Sequence, residues 1–266
     1  MDYANNRRDV ILRLPELYFW FSGLAANTMF TTSAGTTVSS DGVNIGLWRS
    51  VVGNCELSQS TAGNRPVLQA LNDTNELGVY FNASTLRLTG NAALCAFTQS
   101  AKAATCISTV LLPAAGGVSK RLFQISRNAS GSTRFSSLVI SGDLLQHQTR
   151  RLDADSPSTN GSGSTTYSSG TIYIRFDSVD PVSGNVVTEL YHPSTGLASY
   201  VNTTASWTAG ATFDTTASTD VTLGGNPAAD PFTDGIYYDW IGTRSLLTTW
   251  MKEDVAEYLV KSWRLS

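Results

Sequence analysis

Charge is scarce in this chain of 266 residues. Only 15% of its residues are Asp, Glu, Lys or Arg, against roughly 25% in an average soluble domain. Eighteen cations face 21 anions for a net charge of −3, so no basic field exists to hold nucleic acid. Just four of the cations are lysine and fourteen are arginine, which favours fixed, planar contacts over a solvated fringe. Cysteine stops at three (Cys55, Cys95, Cys106) with no CxxC, which excludes a disulfide framework and a zinc cluster. An odd, sparse set of this kind reads as buried thiols of a protein that folds in a reducing cytosol. No stretch approaches the roughly 20 apolar residues of a membrane span. The opening MDYANNRRDVILRLPEL has neither an apolar h-region nor a small-residue cleavage site, so no secretory signal is expected.

What the chain has instead is hydroxyls and turns. It carries 32 Ser, 32 Thr and 22 Gly, with 41% hydrophobic residues. That is enough apolar surface for a core and too little helix-forming sequence for a bundle. Residues 1–14 form a short charged lead, read as an arm that orders on a neighbouring subunit. Residues 15–266 form the folded domain. In TIYIRFDSV a period of two sets Ile172, Ile174 and Phe176 opposite Tyr173, Arg175 and Asp177. CISTVLLP reads as a buried run stopped by Pro113, and GIYYDWIG sets Ile236, Tyr238 and Trp240 on one face. Gly- and Pro-rich turns separate many short strands, the signature of a sandwich or jelly roll. The stretch 153–170, DADSPSTNGSGSTTYSSG, has almost nothing to bury and reads as a long exposed loop. One helix closes the chain, capped by Thr248 or Thr249, with Met251, Val255, Tyr258, Leu259 and Trp263 on one side.

Near the start, LPELYFWFSG, NIGLWRSVVGN, STAGNRPVLQ and LGVYFNASTLRLTG follow one another in order. At the end DVTLGGN leads into FTDGIYYDWIGTRSLLTTWMKEDVAEYLVKSW. Together these segments, from Leu14 to Trp263, resemble the concanavalin A-like (laminin-G-type) jelly-roll domains found in structural proteins of tailed bacteriophages. The resemblance implies an all-β fold: two antiparallel sheets packed face to face, with one short C-terminal helix. It also implies glycan binding or adhesion, and in one branch glycoside hydrolysis.

The hydrolases of that family carry Glu-x-Asp-x-x-Glu on a strand, because two carboxylates must flank one glycosidic bond. No strand here supplies it. Asp177 and Asp180 are the nearest pair, and they read as a strand end and a turn initiator before Pro181. His192 precedes Pro193 in a turn, and His147 has no Cys or acidic partner nearby in sequence. No GxSxG, P-loop or GxGxxG occurs. The chain is therefore expected not to be an enzyme.

Three groups of residues are left as candidates for contact. Tyr167, Tyr191, Tyr200, Asn202 and Trp207 combine aromatic faces with an amide, as saccharide sites do, although cross-strand packing would use the same rings. Asp230, Asp234 and Asp239 form an oxygen-rich loop that could take calcium, the one cofactor considered. Arg7, Arg8 and Arg13 in the lead, with Arg150 and Arg151 before the long loop, are candidate assembly contacts. The expected function is a virion component of a tailed phage, a capsid decoration or fibre or tail part. It would be made in the host cytoplasm and would contact other virion proteins, copies of itself and surface glycans. A lectin-like carbohydrate-binding module is the alternative, and a glycoside hydrolase comes third.

Overall fold

The computed structural model describes residues 9–71, 76–127, 133–155, 158–160, 166–204, 207, 210–226 and 230–265. Arg7 and Arg8 lie outside them. In chain order the strands are β1 (Leu17–Ser22), β2 (Met29–Phe30), β3 (Leu47–Arg49), β4 (Glu56–Ser58), β5 (Val67–Ala70), β6 (Leu77–Phe81) and β7 (Leu88–Gly90). After the short helix α1 (Ala92–Cys95) come β8 (Ala104–Leu111), β9 (Lys120–Ser126), β10 (Thr133–Ile140), β11 (Leu144–Thr149) and β12 (Ser158–Asn160). The remainder are β13 (Ile172–Asp180), β14 (Asn185–His192), β15 (Gly196–Thr204), β16 (Asp220–Leu223), β17 (Gly225–Asn226), β18 (Asp230–Pro231) and β19 (Gly235–Thr243), followed by helix α2 (Thr249–Ser262).

Two large antiparallel sheets result, beside a two-stranded ladder of β17 and β18. One runs β15-β14-β13-β8-β19-β6-β5, with β1 also paired to β19; the other runs β12-β11-β10-β9-β16-β7-β4-β3-β2. Chain neighbours often lie apart in the sheets: β8 sits between β13 and β19, and β16 between β9 and β7. The all-β, two-sheet sandwich expected from the sequence is what the chain adopts.

The main core lies between the sheets, around Phe19, Phe21, Trp48, Phe81, Phe123, Phe135 and Trp240. A second apolar layer covers the opposite face of the eight-stranded sheet. There Trp20, Ile107, Ile174, Phe176, Ile236, Tyr238 and Ile241 meet Val255 and Leu259 of α2 and Trp263 just after it. This explains why β8 and β13 are buried on both sides. The helix is capped by Thr248, whose hydroxyl accepts from the Met251 N–H at 3.4 Å.

Three expectations about local structure are revised. Residues 9–12 are helical, and Ile11 and Leu14 are buried in the α2 layer, so the described part of the lead packs on its own domain. Trp240 does not share a face with Ile236 and Tyr238. A bulge between Tyr237 and Asp239 inserts one residue, so Tyr238 and Asp239 both face α2 while Tyr237 and Trp240 enter the main core. The stretch 153–170 is not simply an exposed loop. Part of it, β12, pairs with β11, and Tyr167 is buried with its hydroxyl donating to the Pro113 carbonyl.

Candidate functional site

A hollow of about 560 Å³ opens where β1 passes β3. Its wall is drawn from four separate stretches: Trp20 and Ser22 of β1; Leu24, Ala25, Asn27, Thr28 and Phe30 after it; Arg49 to Val51; and Tyr258 of α2. The two edges are laced together, since the Trp20 N–H donates to Ser50 Oγ at 2.8 Å and the Val51 N–H to the Trp20 carbonyl at 2.7 Å. Trp20 and Tyr258 meet edge to face at 6.5 Å. The Arg49 guanidinium lies over the Phe30 ring at 4.7 Å, and its Nε donates to Glu56 Oε1 at 3.1 Å. Rings, an amide (Asn27), hydroxyls and one guanidinium converge on a cavity of the size that holds a small ligand, usually about 300–1,000 Å³.

Behind this wall sits Asp239, fully buried. It accepts from the indole N–H of Trp20 at 3.1 Å and from that of Trp263. Burial pushes its carboxyl up to about 6, partly offset by hydrogen bonds from Ser22, Trp263, Trp20 and Thr109. One side chain thereby joins β1, β19 and the end of α2, and fixes the Trp20 ring that lines the hollow.

A second polar group lies in the main core, sealed from solvent. His147 Nε2 is 2.5 Å from Asp177 Oδ1, Thr188 Oγ1 donates to the same oxygen at 2.8 Å, and Arg175 Nε donates to both Asp177 oxygens at 3.0 and 2.9 Å. Burial alone would raise the Asp177 carboxyl; Arg175 and His147 outweigh it and hold it well below the usual range. All four side chains are buried at essentially zero exposure, so no substrate reaches them. This corrects two readings: Asp177 is not a strand end, and His147 has an acidic partner. They are 30 residues apart in sequence, and only the facing of β11 and β13 across the sandwich joins them.

The sequence-nominated aromatics do not form one platform. Tyr167 and Trp207 are buried in the main core. Tyr191 packs on the α2 side, and Asn202 is exposed on β15. Tyr200 lines a smaller hollow of about 290 Å³ with Tyr173, His192, Thr166 and Ser168. The three aspartates are not brought together either. Asp230 pairs with Arg121 at 2.8 Å, Asp234 lies 3.7 Å from Lys120, and Asp239 is buried beneath α2. Among the described residues no group of three His, Cys, Asp or Glu could hold a metal ion.

Nor do Arg150 and Arg151 project as docking groups. Arg150 is buried, donating to the Thr133 and Asp153 carbonyls at 3.0 and 3.1 Å. Arg151 lies against Gly210, where an added Cβ would stand 2.6 Å from its Nη1. Both tie down the segment after β11. Arg13 stays exposed and pairs with Asp9 at 3.4 Å. The hollow residues Trp20, Asn27, Phe30, Arg49 and Tyr258 were not nominated from the sequence. They come from four stretches with no shared spacing, so no linear signal collects them.

No family model and no curated protein matches the chain. Solved structures do. The sialidase of Trypanosoma rangeli in complex with the inhibitor DANA is similar at TM-score 0.58 and 12% identity, over 94% of this chain and 34% of that one. An arabinofuranosidase complexed with arabinofuranosyl-alpha-1,2-xylobiose is similar at TM-score 0.59 and 14% identity, over 82% and 51%. A GH54 α-L-arabinofuranosidase is similar at TM-score 0.56 and 12% identity, over 92% and 62%. The chain thus spans about a third of the sialidase and between half and two thirds of the arabinofuranosidases. These neighbours share a β-fold with the chain; none of them links it to phage virions.

They also correct the expectation that the chain is not an enzyme. Glycoside hydrolases contain this fold, and carboxylates that flank a glycosidic bond can come from different strands. The missing Glu-x-Asp-x-x-Glu run is therefore no ground for excluding hydrolysis. What the chain shares with these proteins is the antiparallel β-fold.

Proposed function

We propose that the chain is a carbohydrate-recognising β-sandwich that holds a saccharide ring in the hollow between Trp20, Phe30, Arg49 and Tyr258. The observation that carries this reading is the make-up of that hollow. The apolar ring atoms of Phe30, Trp20 and Tyr258 on its wall suit the C–H groups of a sugar, while Asn27, Thr28, Ser50 and Arg49 offer donors and acceptors for hydroxyls. The architecture supports it, because its neighbours include a sialidase in complex with sialic acid and an arabinofuranosidase carrying an arabinosyl-xylobiose.

A glycan array followed by titration of the best saccharide tests the reading. Asn27→Ala and Phe30→Ala each lower affinity by about tenfold, the worth of about 1.4 kcal/mol, and leave the urea midpoint close to that of the parent chain. Reducing-sugar release from the same saccharide shows whether cleavage follows binding. An array without a hit, or variants that bind as the parent does, would refute the assignment.

The second reading is the virion placement implied by the resemblance that runs from Leu14 to Trp263. On a particle the domain would bring the same hollow to surface glycans. Mass spectrometry of purified virions is the check, and particles lacking the chain end that reading.

A further inference from the structure

We infer that the saccharide taken by the hollow at β1 and β3 carries a carboxylate, as a uronic or sialic acid does, and that Arg49 is the residue that selects it. The inference rests on the saccharide-binding reading above and adds the class of sugar. Arg49 brings the one formal charge among the residues that line this hollow. It is bounded on three sides: the Phe30 ring lies under the guanidinium, Glu56 accepts from Nε, and Gly35 borders Nη2 so closely that a Cβ there would stand 2.7 Å away. Gly35 has φ +68°, so both its backbone and that close approach call for glycine.

The two terminal nitrogens have no hydrogen-bond partner among the described residues. A guanidinium held at Nε and stacked on a ring keeps its two-nitrogen fork for a ligand, and that fork matches a carboxylate in a bidentate, charge-assisted way that hydroxyls do not. The Glu56 pair does not remove this capacity. Its two side chains are 44% and 41% exposed, and pairs so exposed are worth little and readily re-partnered. The Asp239 carboxylate behind the wall is turned inward to two indoles. Phe30 and the small exposed edges of Trp20 and Tyr258 then supply apolar contact for the sugar body, so charge and apolar contact act on different parts of one ligand.

Methyl glucuronide and methyl glucoside differ only in the C6 carboxylate, and titrating both against the intact chain by tryptophan indole NMR shifts tests the inference. The glucuronide binds about tenfold or more tightly at low salt, the scale of a charge-assisted pair. That preference shrinks as salt is raised. Arg49→Gln brings the ratio to about one, whereas Arg49→Lys retains part of it because charge survives without the fork. Glu56→Gln, which keeps shape and removes the competing carboxylate, raises glucuronide affinity severalfold. A parent chain that binds both sugars equally, or an Arg49→Gln variant that keeps the preference, overturns the acidic-sugar assignment and leaves the saccharide reading standing. A chain that binds neither sugar, nor any array glycan, overturns both.

Discussion

Asp239 makes the stability of this sandwich depend on pH in a direction opposite to that of most paired carboxylates. Its carboxyl rises from an ordinary value of 3.8 to about 6 because it is fully buried, and its four hydrogen bonds offset only part of that burial. The folded chain therefore binds the proton more tightly than the unfolded chain does. Stability from this group is complete below about pH 4, is lost as pH rises from about 4 to about 6, and stays lost above that. A shift of about two units, at about 1.4 kcal/mol per unit, corresponds to about 3 kcal/mol.

Asp239→Asn is close in shape and does not titrate. Its hydrogen-bond losses add a constant offset, whereas the difference in unfolding free energy from the parent changes with pH. In urea unfolding followed by tryptophan fluorescence, that difference should move by about 2–3 kcal/mol in favour of the variant between pH 4 and pH 7. Taking the difference cancels groups with the reverse sign, above all Asp177, whose lowered carboxyl contributes stability that fades on acidification. A difference that stays level across this range would refute the reasoning: Asp239 would then be as well solvated in the folded chain as in the unfolded one.

Two further outcomes follow from burial and capping. Asp177→Ala strands the buried Arg175 guanidinium without its partner and should lower stability by about 3–5 kcal/mol in urea unfolding. The double change Arg175→Met, Asp177→Leu should recover much of that loss, because no uncompensated charge remains. Thr248→Ala removes the side-chain oxygen at the start of α2 and should cost about 1 kcal/mol, seen as a lower thermal midpoint with an unchanged circular dichroism spectrum.

The sequence and the structure divide the description of this protein along a physical line. Strand periodicity, turn residues and the closing helix are local properties, and they were legible: β13 alternates as its residues do, and α2 starts at its cap and buries Val255, Tyr258 and Leu259. Which layer each face meets was not legible. In β13 the apolar face lies under α2, whereas Tyr173, Arg175 and Asp177 point into the main core. Alternation tells two faces apart without saying what covers either. The bulge at Tyr238 and Asp239 also breaks the alternation without any Gly or Pro to mark it.

The sites lay beyond reach for a related reason. The hollow joins segments from Trp20 to Tyr258, and the buried network joins His147 to Asp177 across two sheets. Composition and local pattern determined that this chain is a hydroxyl-rich β-protein with little charge to spend. Only the packing of the sheets, a property of distant pairs, decided where that charge is buried and where one arginine is left facing a cavity.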